Sequence, residues 1–172
     1  KYQSSDASLE DRLDHAVRVG SAIVTEGVTI APLQGIIEIK IKHNKDDSQY
    51  LSVSIAGPMR SAGGTESAVT MLIADPVRRA VGLSKYQADC FDDETGRFVE
   101  ELRMYEIEAK QSFQFHVSDD DIKTVISNLP VELEGEGTDP VEVVNHRNMT
   151  RIKTNRVRGG ALRVLNDGLI GR

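Results

Sequence analysis

The strongest constraint on the fold is the stretch 50–65, in which a strand pattern passes through a glycine-rich bend into a helix pattern. Aliphatic residues alternate with serines over 51–55, which is the period of a strand with one buried face. Gly57-Pro58 ends that pattern, and apolar residues recur at helical spacing over 65–81. A helix that begins directly after such a bend presents free backbone N–H groups, which favour an anion. The bend is therefore either an anion-binding loop or ordinary turn chemistry.

This bend supplies the first candidate site. The fixed charge of Arg60 lies beside the glycines, so we expect the loop to hold a sulfate or phosphate. The candidate nucleic-acid-binding residues here are Arg60, Ser61, Gly63, Gly64 and Thr65. The loop matches neither G-x-x-x-x-G-K-[ST] nor G-x-G-x-x-G, so a mononucleotide-binding fold is not supported.

A second alternating segment precedes the first. Isoleucines alternate with charged residues over 37–42, and a polar connection at 43–48 leads back into the next strand. Two such strands predict an antiparallel hairpin in which 36–42 pairs with 50–56. Two shorter strands are expected at 131–133 and 141–144.

Helical periodicity and capping residues predict helices around this hairpin. Ser8 and Ser118 precede two helical patterns as N-caps, and the glycines at 159–160 lead into a last helix. Asp75-Pro76 interrupts the helix after the bend, so we expect a kink or two short helices there. The predicted fold is a single compact α+β domain, with helices packed on one face of an antiparallel sheet.

Composition limits the setting of the chain. Its 172 residues fit one domain with a continuous core, and the polar residues 1–7 are expected to fray. The single Cys90 cannot form an internal disulfide, and with no hydrophobic signal segment this favours a reduced, cytoplasmic setting. No apolar run is long enough to span a membrane, so no membrane partner is expected. The net charge of -6 argues against a uniformly basic surface.

Most patterns that could carry chemistry have a structural explanation. The acidic runs at 92–94 and 119–121 each open a helix, where the helix dipole favours negative charge. The four histidines are scattered, with no H-E-x-x-H or paired-cysteine spacing, and Ser61 lacks the G-x-S-x-G elbow. We therefore assign no catalytic residue, no metal-binding residue and no cofactor to this chain.

A basic segment supplies the second candidate site. Six cationic residues fall within 17 positions of an acidic chain, beside two glycines that let a ligand approach the backbone. They are Arg147, Arg151, Lys153, Arg156, Arg158 and Arg163. In an extended chain Arg156 and Arg158 share one face, so these two, helped by Lys153, are the candidate contacts to DNA phosphates. Alternatively, the cations protect a strand edge or tie the segment to the domain's own acidic helices.

Four strings carry a resemblance to a known family: Thr25–Ile36, Ala56–Thr65, Asn128–Leu133 and Thr154–Ala161. In this order they resemble the N-terminal region of the large subunit of the archaeal family-D DNA polymerase. The string A-G-P-x-R-S-x-G-G-T is the most specific of the four. The resemblance extends over nearly the whole chain.

The resemblance implies that residues 1–172 are the N-terminal domain of a much longer large subunit of a replicative DNA-directed DNA polymerase. In that family the large subunit forms a heterodimer with a small subunit that carries 3′-to-5′ exonuclease activity. The enzyme acts on a DNA primer-template, and Mg²⁺ is expected for the full-length polymerase. The family's catalytic motif, of the type N-A-D-F-D-G-D, does not occur in this sequence, and one cysteine cannot furnish the family's zinc modules. The chain by itself is therefore expected to be inactive.

Two functions remain open at this point. In the first, the chain is a non-catalytic domain in which Arg60 and the segment 151–158 contact the DNA backbone. In the second, it is a protein-protein assembly module within the polymerase heterodimer, and its arginines pair with acidic protein surface. Salt-dependent DNA binding distinguishes the two.

Overall fold

A computed structural model describes residues 7–25, 35–56, 64–88, 93–107, 113 and 115–171 of the protein. In these residues the helices are α1 (Leu9–Val24), α2 (Gly64–Ala80), α3 (Glu94–Ile107), α4 (Asp119–Asn128) and α5 (Gly159–Arg163). The last helix continues directly into a π-helical segment, Val164–Ile170. The strands are β1 (Ile36–His43), β2 (Gln49–Ile55) and β3 (Glu132–Gly135). Helices and strands pack around one core, which confirms the predicted α+β class.

The predicted hairpin is confirmed. β1 and β2 pair antiparallel, with Ile39 opposite Val53 and Ile41 opposite Leu51. Their connection is closed by the N–H of Asn44, which donates to the carbonyl of Ser48 at 2.9 Å. The alternating pattern therefore sets the register, because a slip of one residue would turn every isoleucine to the other face.

The third strand differs from the expectation of a purely antiparallel sheet. β3 lies beside β2 and runs parallel to it, so the sheet order is β1-β2-β3 and the sheet is mixed. The chain leaves the end of β2 and returns only after α2, α3 and α4, and a long crossover of this kind is what a parallel pair requires. The strand expected at 131–133 is thus found one residue later.

The prediction of a strand at 141–144 is wrong. Instead, Glu142 forms an isolated antiparallel bridge with Arg156. The N–H of Val143 donates to the carbonyl of Asn155 at 2.9 Å, and the N–H of Val157 donates to that of Val141 at 2.9 Å. The basic segment is therefore held by irregular backbone pairing outside the sheet.

The sequence predicts a kink or two short helices at Asp75-Pro76, and of these alternatives the division by Pro76 into two helices is not found. α2 is continuous through Pro76. Met71 and Ala74 on one side of Pro76 are buried, and on the other side Arg78 donates to the carbonyl of Leu83 at 3.0 Å. Packing on both sides thus holds the helix across the missing N–H of the proline.

The polar face of the sheet carries an ion cluster. The side chain of Lys42 lies between the carboxylates of Glu132, at 2.8 Å, and Glu134. Glu132 is 5% exposed, and burial raises its pKa although Lys42 opposes the shift. The cluster covers Ser52, which is 2% exposed in the middle of β2. The central strand is therefore buried on both faces, although its sequence alternates.

The N-cap predicted at Ser118 is present in full. Its hydroxyl accepts a hydrogen bond from the N–H of Asp121 at 3.1 Å, and the Asp121 carboxylate accepts one from the N–H of Ser118. The equivalent capping box at α1 joins Ser8 and Asp11. Each box satisfies backbone donors that the first turn of a helix leaves free.

We predict that Ser118→Ala lowers the free energy of unfolding by about 1 kcal/mol, because the hydroxyl that accepts from the N–H of Asp121 is lost and only the backbone half of the box remains. For a chain of this size the melting temperature falls by roughly 2 to 4 °C per kcal/mol. Ser127→Ala, at an exposed position inside the same helix, is the matched control and should leave the melting temperature nearly unchanged. Equal effects of the two substitutions would contradict the capping role.

Candidate nucleic-acid interface

The first candidate site lies mostly outside the described residues. Arg60, Ser61 and Gly63 belong to the range 57–63, which the structure does not describe. Gly64 is the first residue of α2, and Thr65 follows it inside the helix. The anion-binding bend thus remains a prediction, whereas the helix that was predicted to follow it begins at Gly64.

The second candidate site is described, and its six cations divide into two groups. Four of them make ion pairs inside the domain: Arg147, Arg151, Arg158 and Arg163. The other two, Lys153 and Arg156, have exposed side chains. Concentration of charge along the sequence therefore does not become concentration on the surface.

Arg158 is at the centre of the buried group. Its side chain is 1% exposed, and its guanidinium donates to both carboxylate oxygens of Glu101 at 3.1 Å from Nε. The guanidinium carbon also lies 4.6 Å from the ring centroid of Phe98. Burial lowers the pKa of an arginine, but the charge of Glu101 reverses this effect and leaves the pKa of Arg158 raised. The expectation that Arg158 presents its guanidinium to a phosphate beside Arg156 is not met, because the side chain is directed into the core.

Glu101 binds a second buried guanidinium, that of Arg97, one helical turn earlier in α3. Arg97 Nε donates to Glu101 Oε1 at 2.7 Å, and both side chains are fully buried. The remaining donors of Arg97 reach backbone carbonyls of the segment that contains the basic residues, at 2.5 Å for His146 and 2.8 Å for Thr154. One carboxylate and two guanidiniums thus join α3 to the basic segment.

The other two buried or half-buried arginines each lie against aromatic rings. Arg151 lies 5.7 Å from the ring centroid of Tyr50 and 5.4 Å from that of Tyr86, and its Nε is 2.9 Å from Glu94. Burial raises the pKa of Tyr86, so its phenol stays neutral and donates to the same carboxylate at 2.5 Å. Arg163 lies 5.0 Å from the ring centroid of Phe113 and pairs with Asp167 at 3.3 Å. These cations stabilise the fold through charge and ring contacts.

Lys153 and Arg156 are different. Among the residues that the structure describes, neither side chain makes an ion pair, while the backbone around them is fixed. The N–H of Arg156 donates to the Thr154 hydroxyl at 3.1 Å, and its carbonyl accepts from Arg97 at 3.3 Å. Gly137 lies so close to this segment that an added Cβ would be 2.3 Å from the Thr154 hydroxyl. Two exposed cations therefore project from an anchored backbone.

A second carboxylate of α3 shapes the loop before the basic segment. The Glu100 side chain accepts hydrogen bonds from the N–H groups of Val144, Asn145 and His146 at 2.6 to 3.0 Å, and it lies 2.5 Å from the His146 ring. Burial would raise the pKa of Glu100, but these donors lower it from 4.5 to about 2. The other ring nitrogen of His146 lies 3.2 Å from Asp93. Glu100 thus acts as an internal anion in a backbone nest.

These residues of α3 were missed by the sequence analysis. A signal was available, because Arg97 and Glu101 lie four residues apart within the apolar stripe formed by Phe98, Leu102 and Tyr105. Opposite charges at that spacing, on a face that must be buried, indicate an internal ion pair. The partner on the distant basic segment could not be read from the spacing.

The acidic residues that could suggest a metal site are occupied by other contacts. Asp119 pairs with Arg103 at 2.7 Å, and Asp121 belongs to the capping box of α4. Within the described residues, no group of three or more His, Cys, Asp or Glu side chains is placed to hold a metal ion. Nor does any described helix have the length and apolar character needed to cross a membrane.

The sequence model of the family described as "DNA polymerase II large subunit DP2, N-terminal" matches residues 1–172. The chain is 74% identical over 167 residues to the DNA polymerase II large subunit of Cenarchaeum symbiosum, and this match covers 97% of this chain and 15% of the relative. It is 46% identical to the large subunit of Thermoplasma acidophilum and 47% identical to that of Methanothermobacter thermautotrophicus. Each of these matches covers 94% of this chain and 14% of the relative. The chain thus spans about one seventh of the length of the curated relatives that it matches.

We predict that Glu101→Gln lowers the free energy of unfolding by about 3 to 5 kcal/mol, since it leaves two buried guanidiniums without a counter-charge. Glu142→Gln is the matched control, because it removes the same charge from a pair with Arg147 in which both side chains are more than 40% exposed. That control should change stability by less than about 1 kcal/mol. Chemical denaturation of both variants measures the difference, and similar losses would show that burial of the pair does not matter.

The low pKa of Glu100 predicts a pH dependence of stability. A carboxylate with a depressed folded-state pKa contributes stability that is complete above its ordinary pKa of 4.5 and is lost as the pH falls toward about 2. The stability gap between the protein and Glu100→Gln should therefore be constant near neutral pH and should narrow below about pH 4.5. Thermal melts of both proteins from pH 7 to pH 2.5 measure this gap. A gap that stays constant over the whole range would contradict the role of the charged carboxylate.

Proposed function

Because the chain belongs to the family of N-terminal regions of DNA polymerase II large subunits, we propose that it is a non-catalytic domain of a replicative DNA-directed DNA polymerase that contacts the DNA backbone. The contacts are made by Lys153 and Arg156. Sequence analysis gave the same function to Arg158, whose buried side chain now argues for a structural role.

The observation that carries this proposal is the contrast among the six cations. Four pair with carboxylates of the domain, Arg147 at the surface and the other three in buried or half-buried positions. Lys153 and Arg156 make no ion pair with the residues that the structure describes, and they are exposed on a backbone that Arg97 and Thr154 hold in place. An exposed cation on an anchored backbone loses little conformational freedom when it binds a phosphate. Such contacts position DNA and carry no sequence information.

The net charge of the chain is consistent with a domain that supports DNA binding by the rest of the enzyme. At a net charge of -6, two exposed cations provide a local attraction to phosphate and cannot create a broad positive surface. We propose that the bend with Arg60, Ser61, Gly63, Gly64 and Thr65 adds a second backbone contact. The helix start at Gly64 supports this addition, because N–H groups at a helix N-terminus favour anions.

The rest of the enzyme is part of the same proposal. The relatives are named as large subunits of a DNA polymerase, so a small subunit with 3′-to-5′ exonuclease activity is proposed as the partner and primer-template DNA as the substrate. Polymerase chemistry with Mg²⁺ would occur outside this chain, in a cytoplasmic heterodimer. Within this chain, two residues of the acidic run at 119–121 have structural contacts, Asp121 in the capping box and Asp119 in the ion pair with Arg103.

We predict that Lys153→Ala/Arg156→Ala weakens DNA binding equally for unrelated sequences and reduces the slope of log affinity against log salt by up to about two. The double variant Arg79→Ala/Lys123→Ala removes the same charge from exposed positions on α2 and α4, and it should leave that slope unchanged. Fluorescence anisotropy with two unrelated duplexes measures the affinity and its salt slope for both double variants, at salt concentrations from about 50 to about 200 mM. An unchanged slope in the first variant, with an intact fold by thermal melt, would refute the DNA contact.

We also predict that the 172-residue chain neither extends a primer nor degrades DNA in the presence of Mg²⁺. The physical reason is that metal-assisted phosphoryl transfer needs clustered carboxylates, while Asp119 is engaged in an ion pair and Asp121 in a helix cap. Primer extension and nuclease assays on a clean preparation measure this. Metal-dependent activity that disappears on substitution of Asp119, Asp120 and Asp121 would overturn the prediction.

Assembly is the second candidate function, and a separate observation favours it. Much of the basic segment is directed inward, and exposed apolar side chains instead mark part of the surface, including Ile107 and Val144 at 70% each. An apolar surface of this kind is typical of protein contacts. The DNA experiment distinguishes this function, because apolar association depends little on the salt concentration that weakens phosphate contacts.

A further inference from the structure

A groove lies between the outer face of α3 and the loop that Glu100 holds. It is an open groove of about 390 Å³, and it is lined by Glu100, Arg103, Met104, Ile107, Val144 and Asn145. Ile107 and Val144 are each 70% exposed, and both line this groove. We call this feature the α3 groove.

The exposed valine is held in place. The N–H of Val144 donates to Glu100 at 2.6 Å, and the next two N–H groups donate to the same carboxylate. Opposite it, Met104 packs partly against the core. The apolar lining is therefore preformed, so an occupant would not have to order it on binding.

The charged residues of the groove are already used. Arg103 pairs with Glu106 at 3.0 Å and with Asp119 at 2.7 Å, and it donates to the carbonyl of Val117 at 2.7 Å. Glu100 accepts from three backbone N–H groups and lies against His146. A phosphate or a charged peptide would gain little here, whereas an apolar side chain would bury Met104, Ile107 and Val144.

The position of the last described residues indicates which chain can reach the groove. Gly171 lies against Phe115, since a Cβ added to this glycine would be 2.5 Å from the Phe115 ring. Phe115 is itself 41% exposed, and its neighbour His116 lies 3.9 Å from Glu106, the residue before Ile107. The exposed Phe115 and His116 thus lie between Gly171 and the part of α3 that carries Glu106 and Ile107. About ten residues of extended chain span roughly 33 Å, so a segment that leaves Gly171 in this direction has ample length to approach the groove.

We propose that the α3 groove docks the polypeptide that follows residue 172 in the full-length large subunit, through an apolar side chain of that segment. The proposal rests on the proposed function, because it places this chain within a longer subunit. The length of the relatives supports this placement, since the matched region is 14 to 15% of each relative described above. Docking would fix the following domain against α3 and so transmit the position of the DNA-contacting segment to the rest of the enzyme.

Site-specific photocrosslinking in the full-length large subunit tests this inference. The photoreactive residue p-benzoylphenylalanine replaces Val144, and cross-linked peptides are mapped by mass spectrometry, with and without the small subunit. We expect most cross-links to fall within the first 30 or so residues after 172, about the length that reaches the groove with some slack. The same probe at Leu72, which is 68% exposed on α2, is the matched control and should not mark that segment.

A second variant tests the apolar character of the contact. Ile107→Gln should remove most of the cross-link from position 144, and it should leave the melting temperature of the 172-residue chain nearly unchanged because Ile107 is 70% exposed. Cross-links from position 144 to the small subunit, to a second copy, to residues 108–112 or to no peptide at all would overturn the proposal. These outcomes differ from failure of the DNA contact, which is measured by the salt slope of Lys153→Ala/Arg156→Ala.

Discussion

The structure depends on one buried carboxylate, that of Glu101, placed between the guanidiniums of Arg97 and Arg158. Burying charges is unfavourable unless each is paired and hydrogen-bonded, so this arrangement is stable only when α3 and the basic segment are both in place. Arg97 extends the constraint, since its other donors bind carbonyls of that segment. The path of the chain from His146 to Arg158 is thus fixed by α3 together with the irregular backbone pairing to 141–143, and not by the sheet.

That constraint decides which residues reach the surface. Arg158 is turned inward, and Arg151 lies against the rings of Tyr50 and Tyr86. Within 151–158 the exposed cations are therefore Lys153 and Arg156. The preceding residue of the same helix, Glu100, holds the loop that presents Val144. Two adjacent glutamates of α3 therefore organise two different surfaces, one cationic and one apolar, and this supports separate functions in contact with DNA and in assembly.

The sheet shows the same dependence on distant partners. The hairpin is a local structure, but β3 joins it only after a crossover through three helices. Its two glutamates then meet Lys42 on the polar face and bury Ser52 beneath them. The alternating sequence predicts that this face of the sheet is exposed to solvent, but paired charges cover it.

The sequence by itself determined the elements that local physics specifies. Alternation set the hairpin and its register, and the serine caps set the starts of α1 and α4, because strand period and capping involve residues a few positions apart. The family was also visible in the sequence, and the comparisons bear out that assignment. Tertiary structure alone decided the parallel direction of β3, the continuity of α2 through Pro76, and the inward position of Arg158. Each of these depends on a partner far along the chain, such as Glu101 for Arg158, and no spacing in the sequence specifies which distant charge or surface will be adjacent once the core closes.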